Sequence, residues 1–132
     1  MILKLKNISK NYFSKNKITY ALKDINLEVN DNEFIAIVGP SGCGKSTLLS
    51  IIGNLENRSN GEISTKDNIK IGYMFQEDAL FPWLTVLDNC LLGLKIKKEL
   101  TTINMTYVKT LLKKYGLSKF EKSFPKELSG GM

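Results

Sequence analysis

Apolar and polar residues first alternate along this chain, then run together, then take helical spacing. Ile2-Leu3-Lys4-Leu5-Lys6 alternates, and so does the stretch from Ala21 to Val29, with Leu22, Ile25, Leu27 and Val29 apolar. A period of two predicts strands with one buried face, each ending in an Asn- and Lys-rich turn. Phe34-Ile35-Ala36-Ile37-Val38 is different: a short unbroken apolar run, β-branched at three places, as expected of a buried parallel strand. Asn30-Asp31-Asn32 makes the turn before it. From Ser46 to Ile52 the chain can be helical and should stop near Gly53-Asn54, residues that tolerate a left-handed cap. A turn at Asn57 to Gly61 precedes short strand candidates at Glu62-Ile63-Ser64 and Ile69 to Phe75. Beyond Gln76 the spacing becomes helical, over Trp83 to Leu94 and over Met105 to Tyr115, where Val108, Leu111, Leu112 and Tyr115 share a face and Gly116 ends the run. The pattern predicts a β-rich lobe over 1–76 and a helical lobe over 77–132.

Between the unbroken strand and the first helix lies GPSGCGKST, from Gly39 to Thr47: Gly39, Pro40, Ser41, Gly42, Cys43, Gly44, Lys45, Ser46 and Thr47. It fits G-x-x-x-x-G-K-[ST], the phosphate-binding P-loop. The strand-before, helix-after context puts backbone N–H groups and the positive end of a helix around one anion. Gly39, Gly42 and Gly44 are expected to permit close backbone approach and positive φ. Lys45 can reach the β- and γ-phosphates of a nucleoside triphosphate, and the Ser46 hydroxyl can ligate Mg²⁺.

Composition narrows the class. The 132 residues are 42% apolar and 24% charged, within the range of globular domains. There is no run of eighteen apolar residues and the N-terminus lacks an apolar signal-type core, so neither a spanning helix nor a signal peptide is expected. Cys43 and Cys90 are expected to be reduced thiols. The net charge of +6 hints at nucleic acid, but every basic residue except Arg58 is Lys, and they scatter from Lys4 to Lys126. The densest group, Lys95 to Lys98, has no aromatic neighbour for a base to stack on, so a solvated face is expected and no nucleic-acid partner.

Two further features accompany the P-loop. Gln76 closes the run IGYMFQ, and residues 128–132 read LSGGM. With Tyr12 upstream, in ISKNY, this order resembles the ATP-binding-cassette (ABC) ATPases over essentially the whole chain. The resemblance implies an α/β P-loop NTPase fold, with an N-terminal antiparallel β subdomain, a partial RecA-like core and a helical subdomain. It also implies roles. Tyr12, rather than Tyr20, would stack on adenine. Gln76 would sense the γ-phosphate and ligate Mg²⁺, and Thr47 would support the α-phosphate side. Ser129, Gly130 and Gly131 form a variant of the family's LSGGQ signature, expected at a helix start, and would close over the ATP held by a second, head-to-tail cassette. Such cassettes sit at the cytoplasmic face of the membrane against permease subunits, and their cycle of ATP binding and hydrolysis moves those subunits.

Phe81-Pro82-Trp83-Leu84-Thr85-Val86-Leu87-Asp88-Asn89 is similar to the Leu-Pro-Trp-x-Thr-Val-x-x-Asn pattern of ATPases in nitrate, sulfonate and taurine uptake. Trp83 beside Pro82 suits an anchor at a partner surface; packing in the core of the helical lobe is the alternative. Asn32 and Asn54 stand where the family usually has Gly, and Asn is the next most tolerant residue at positive φ. The family pattern continues past the signature with a strand ending in Asp-Glu and a switch histidine, whereas this chain stops at Met132 and has no His. The expectation is therefore a truncated cassette that binds MgATP, hydrolyses it poorly and leaves the Phe34–Val38 strand as an apolar edge. Soluble cassettes of DNA repair or translation share the P-loop and signature; the former insert long coiled coils, absent here, and the latter usually come in tandem. A non-catalytic nucleotide-binding remnant is the third reading.

Overall fold

A computed structural model describes residues 1–77 and 79–132 and divides the chain into two compact units, Met1–Met74 and Phe75–Met132. Asp78, within the segment Glu77 to Leu92, lies outside the described residues.

The first unit is built on three antiparallel strands, β1 (Leu3–Ser14), β2 (Lys17–Val29) and β3 (Asn60–Thr65), in the order β2-β1-β3. The alternating segments pair as their periodicity predicts, Leu5 facing Leu27 on one side and Ile63 on the other. Both strands of the hairpin run further than their apolar pattern, down to Ser14 opposite Lys17. There the backbone ladder, not side-chain burial, keeps the polar residues paired.

Between Leu5 and Ile8 the register shifts. Asn7 sits at φ +52, and its N–H donates to Asn26 Oδ1 at 2.9 Å. This bulge moves the inward face from odd to even positions, so that Leu3, Leu5 and Ile8 all enter the same core. Gly61 is required opposite it, because a Cβ there would stand 2.5 Å from the Asn7 carbonyl oxygen.

Helix α1 (Lys45–Ile52) covers this face. Leu48 and Ile51, three residues apart and so on one side of the helix, complete a core with Leu3, Leu5, Ile8 and Leu22. Gly53 follows, and Asn54 takes the left-handed φ of +56; Asn32 likewise sits at +62. Both asparagines take the left-handed conformation that glycine adopts most readily.

Two predicted strands do not form. Phe34–Val38 and Ile69–Phe75 are outside the ladders, and Phe34 and Val38 are 94% and 88% exposed. A parallel strand can satisfy its backbone only on neighbours brought in by crossover connections. Among the described residues the sheet is antiparallel, in the order β2-β1-β3, and includes neither segment.

The second unit holds α2 (Val86–Ile96) and α3 (Thr102–Lys114), followed by single 3-10 turns at Ser118–Phe120 and Pro125–Glu127. Helix α2 begins three residues later than the spacing of Trp83 suggested, because Thr85 caps it: its Oγ1 accepts the Asp88 N–H at 3.2 Å. Helix α3 begins three residues earlier than predicted, because Thr101 accepts the Asn104 N–H at 3.2 Å. Among the described residues of this unit, Val86 and Leu91 on α2 and Leu112 on α3 are the buried apolar side chains. The first N–H groups of α2 are satisfied by the chain that returns from α3, Val86 donating to Ser123 O at 2.9 Å and Leu87 to Glu121 O at 3.0 Å. Gly116, at φ +75, ends the α3 turn as expected.

Candidate functional site

The P-loop lies against the sheet. Gly44 is the N-cap of α1 at φ +95, and a Cβ there would come within 2.5 Å of the Ala21 carbonyl oxygen and 2.8 Å of Leu22 Cδ2. No alanine fits without moving β2. Gly42 is also left-handed, at φ +79; Gly39 is not, and its need is space, since a Cβ would meet Cys43 Sγ at 2.8 Å. Among the described residues no side chain caps α1, so its first N–H groups are left unclaimed by a cap. Lys45 folds back over the loop and donates to the carbonyl oxygens of Gly39 and Pro40 at 2.8 and 2.7 Å, with Cys43 Sγ at 3.6 Å. Ser41, Ser46 and Thr47 complete the same turn and helix start. A glycine-lined ring of amides with one ammonium over it has the donor set an oligophosphate needs.

Tyr12 shares this unit. It lies on β1 opposite Thr19, and its hydroxyl donates to Glu56 Oε2 at 2.8 Å. Gln76 and residues 129–131 belong to the second unit. Gln76 is exposed in a bend just after the segment Ile69–Phe75. Ser129, Gly130 and Gly131 are exposed in a single turn closed by Met132 N–H to Ser129 O at 2.9 Å, not in a helix. The four residues 129–132 can make only that one i→i+3 bond, and an α-helical turn needs further residues. Cys43 and Cys90 are exposed and unbridged.

Residues 22–132 match the family model described as ABC transporter. The chain belongs to the ABC transporter family, among its ATP-binding proteins. It is 45% identical over 136 residues to YtlC of Bacillus subtilis, an uncharacterized ABC transporter ATP-binding protein, covering 98% of this chain and 52% of that one. To the aliphatic sulfonates import ATP-binding protein SsuB of Bacillus cereus it is 44% identical, covering all of this chain and 54% of the relative. The dimeric, post-hydrolysis ATP-binding cassette MJ0796 bound to ADP and Pi superposes with a TM-score of 0.86 at 38% identity, covering 98% of this chain and 64% of that chain. The cassette segment thus spans about half the length of the curated relatives it matches.

The structure of the cassette also explains the spacing of Phe81 to Asn89. Asn89 Nδ2 donates to the carbonyl oxygens of Phe81, Leu84 and Thr85 at 3.0–3.1 Å, and its Oδ1 accepts the Phe81 N–H at 2.8 Å. One side chain therefore ties off the whole turn. Trp83 projects from that turn 69% exposed, edge-on to Phe81 at 5.2 Å, and is not part of the helical unit's core. Asn89 was legible as a position in the motif, but its role as a clamp needed the folded turn. Glu56 and Lys10, beside Tyr12, carried no signal in the sequence at all.

Proposed function

We propose that this chain is the MgATP-binding part of the ATPase subunit of an ABC importer. The observation that carries this is the P-loop: left-handed Gly42 and Gly44, an uncapped helix start and the Lys45 ammonium folded over the ring. In this reading Lys45 exchanges its two loop carbonyls for β- and γ-phosphate oxygens, and the amides from Gly39 to Thr47 hold the remaining phosphate charge. Ser46 and Gln76 offer the hard oxygen ligands that Mg²⁺ prefers. Bound Mg²⁺ would neutralise charge developing between the β- and γ-phosphates. Tyr12 stacks on adenine and Thr47 supports the α-phosphate side.

Ser129, Gly130 and Gly131 close over the ATP of a second cassette, a reading supported by the dimeric MJ0796 neighbour. Permease subunits at the cytoplasmic face of the membrane are the remaining partners. Among the described residues no helix is long and apolar enough to cross a membrane. Exposed Trp83, on the turn held by Asn89, is the anchor toward them. The Phe81–Asn89 pattern and the SsuB relative favour a small anionic solute of the sulfonate class.

The test is nucleotide binding by the native protein and its Lys45→Ala variant. Loss of charge-assisted hydrogen bonds should weaken MgATP by about 10- to 100-fold. Equal affinity in the two proteins would sink the assignment. Deleting the locus should also abolish growth on an alkanesulfonate as sole sulfur source; unchanged growth would remove the solute class while leaving the ATPase reading in place.

A further inference from the structure

Tyr12 is not a free surface ring. Its hydroxyl donates to one carboxylate oxygen of Glu56 at 2.8 Å, and Lys10 Nζ meets the other at 3.0 Å. The same ammonium donates to the Asn57 carbonyl oxygen at 2.7 Å and lies 4.9 Å from the centre of the Tyr12 ring. It is largely covered, with only 14% of its side-chain surface exposed, while Tyr12 keeps 39%.

Glu56 is itself anchored. It follows the C-terminal end of α1, where the N–H groups of Leu55 and Glu56 donate back to Ser50 O at 2.9 and 3.3 Å. Ser59 closes the loop onto β1, its N–H donating to Ser9 O at 2.9 Å and its Oγ accepting the Asn11 N–H at 3.0 Å. The helix that starts at the P-loop therefore ends in a loop that grips the tyrosine.

We infer that Glu56 and Lys10 are positioning residues for the adenine-stacking face of Tyr12: they fix the ring to the far end of the P-loop helix and occupy one of its faces, leaving the other for the base. This rests on the reading of Tyr12 given above. A tyrosine at the end of a polar hairpin would otherwise turn about two side-chain torsions, and ordering it would cost part of the stacking free energy. Here the hydroxyl bond sets how far the ring leans, and the ammonium holds one face by cation–π attraction. The Tyr12 hydroxyl, and then Lys10, hold the Glu56 carboxyl below the ordinary carboxylate range, so it is ionised and accepts from both at neutral pH.

The experiment compares MgATP with inorganic triphosphate, which has no base, as ligands of the native full-length protein. Tyr12→Ala should weaken ATP by about tenfold or more, the worth of one base–aromatic stack, and leave triphosphate unchanged. Glu56→Ala should weaken ATP by roughly three- to tenfold, again with triphosphate unchanged, and should add nothing in the Tyr12→Ala background. Glu56→Gln, which can still accept from the tyrosine, should recover most of that loss. Equal weakening of both ligands by Glu56→Ala would reduce the cluster to a structural clip and overturn the inference. So would a selective loss in Tyr12→Ala with none in Glu56→Ala. Absence of any effect of Tyr12→Ala on ATP would instead remove the adenine role of Tyr12, and absence of triphosphate binding would remove the P-loop reading.

Discussion

Two apolar segments of the first unit, similar in composition, meet opposite fates. In β1, Leu3, Leu5 and Ile8 are at most 8% exposed; in the run from Phe34 to Val38 the end residues are almost fully exposed. The difference is not hydrophobicity but backbone pairing. β1 is the central strand of an antiparallel sheet whose other strands arrive by a two-residue turn at Lys15–Asn16 and by the loop after α1. The second run reads as a parallel strand, and its hydrogen-bonding neighbours would have to come from distant parts of a chain. An apolar side chain is buried only when the backbone that carries it has somewhere to bond.

The comparison can be broken at its strongest point first. In a polypeptide of residues 1–132, Ile8→Ala should cost about 2–5 kcal/mol by urea unfolding, since it opens a cavity under α1. Val38→Ala should stay within about 0.5 kcal/mol, as for an exposed site. A large cost at Val38 would mean that the run is buried in solution. Its exposure has a second consequence: Val38→Lys should lower self-association in sedimentation runs, because it puts a charge in an exposed apolar segment.

A smaller effect sharpens the contrast between the units. The helical unit relies on local devices, and Thr85→Ala removes the cap of α2 at a cost of about 1 kcal/mol. Amide exchange should quicken in Val86–Ile96 and remain unchanged in β1; uniform quickening would show that the two units unfold together.

The smallest effect is with pH. The Tyr12 and Lys10 contacts lower the Glu56 pKa in the first unit, and Lys95, then Thr85, lower that of Asp88 in the second. Carboxyls held below their unfolded values of about 4 stabilise the fold at neutral pH, and that contribution fades as pH falls through the folded values. The urea midpoint should therefore drop between pH 6 and pH 3, only slightly, because both groups are partly exposed and screened. Asp88→Asn should flatten the part of the drop that belongs to the helical unit; an unaltered slope would show that the Lys95 pair contributes nothing.

Much of this was legible in the residues. Period-two alternation located β1 and β2, the P-loop located the start of α1, and Asn32 and Asn54 marked turns that do adopt positive φ. The helices of the second unit were found to within three residues, the error at each start coming from a threonine cap that outweighs apolar spacing. The unbroken runs misled because periodicity reports what a segment could bury, not whether partners exist. For the candidate site, the glycine positions were legible from spacing, and Gly42 and Gly44 do take positive φ; that Gly44 also has to clear the Ala21 carbonyl on β2 needed the fold.

By itself the sequence determined the local chemistry: which residues can form a phosphate cradle, where helices start and stop, and which family the chain resembles. Tertiary structure alone decided which apolar residues are buried. It also decided that Asn89 clamps the turn bearing Trp83, and that Glu56 and Lys10 close around Tyr12. Glu56 and Tyr12 are 44 residues apart and are joined only because α1 packs across β1 and returns its end to the strand. Backbone preferences act over a few neighbours and can be read along the chain, whereas side-chain pairing across such a span exists only after the sheet has set its register.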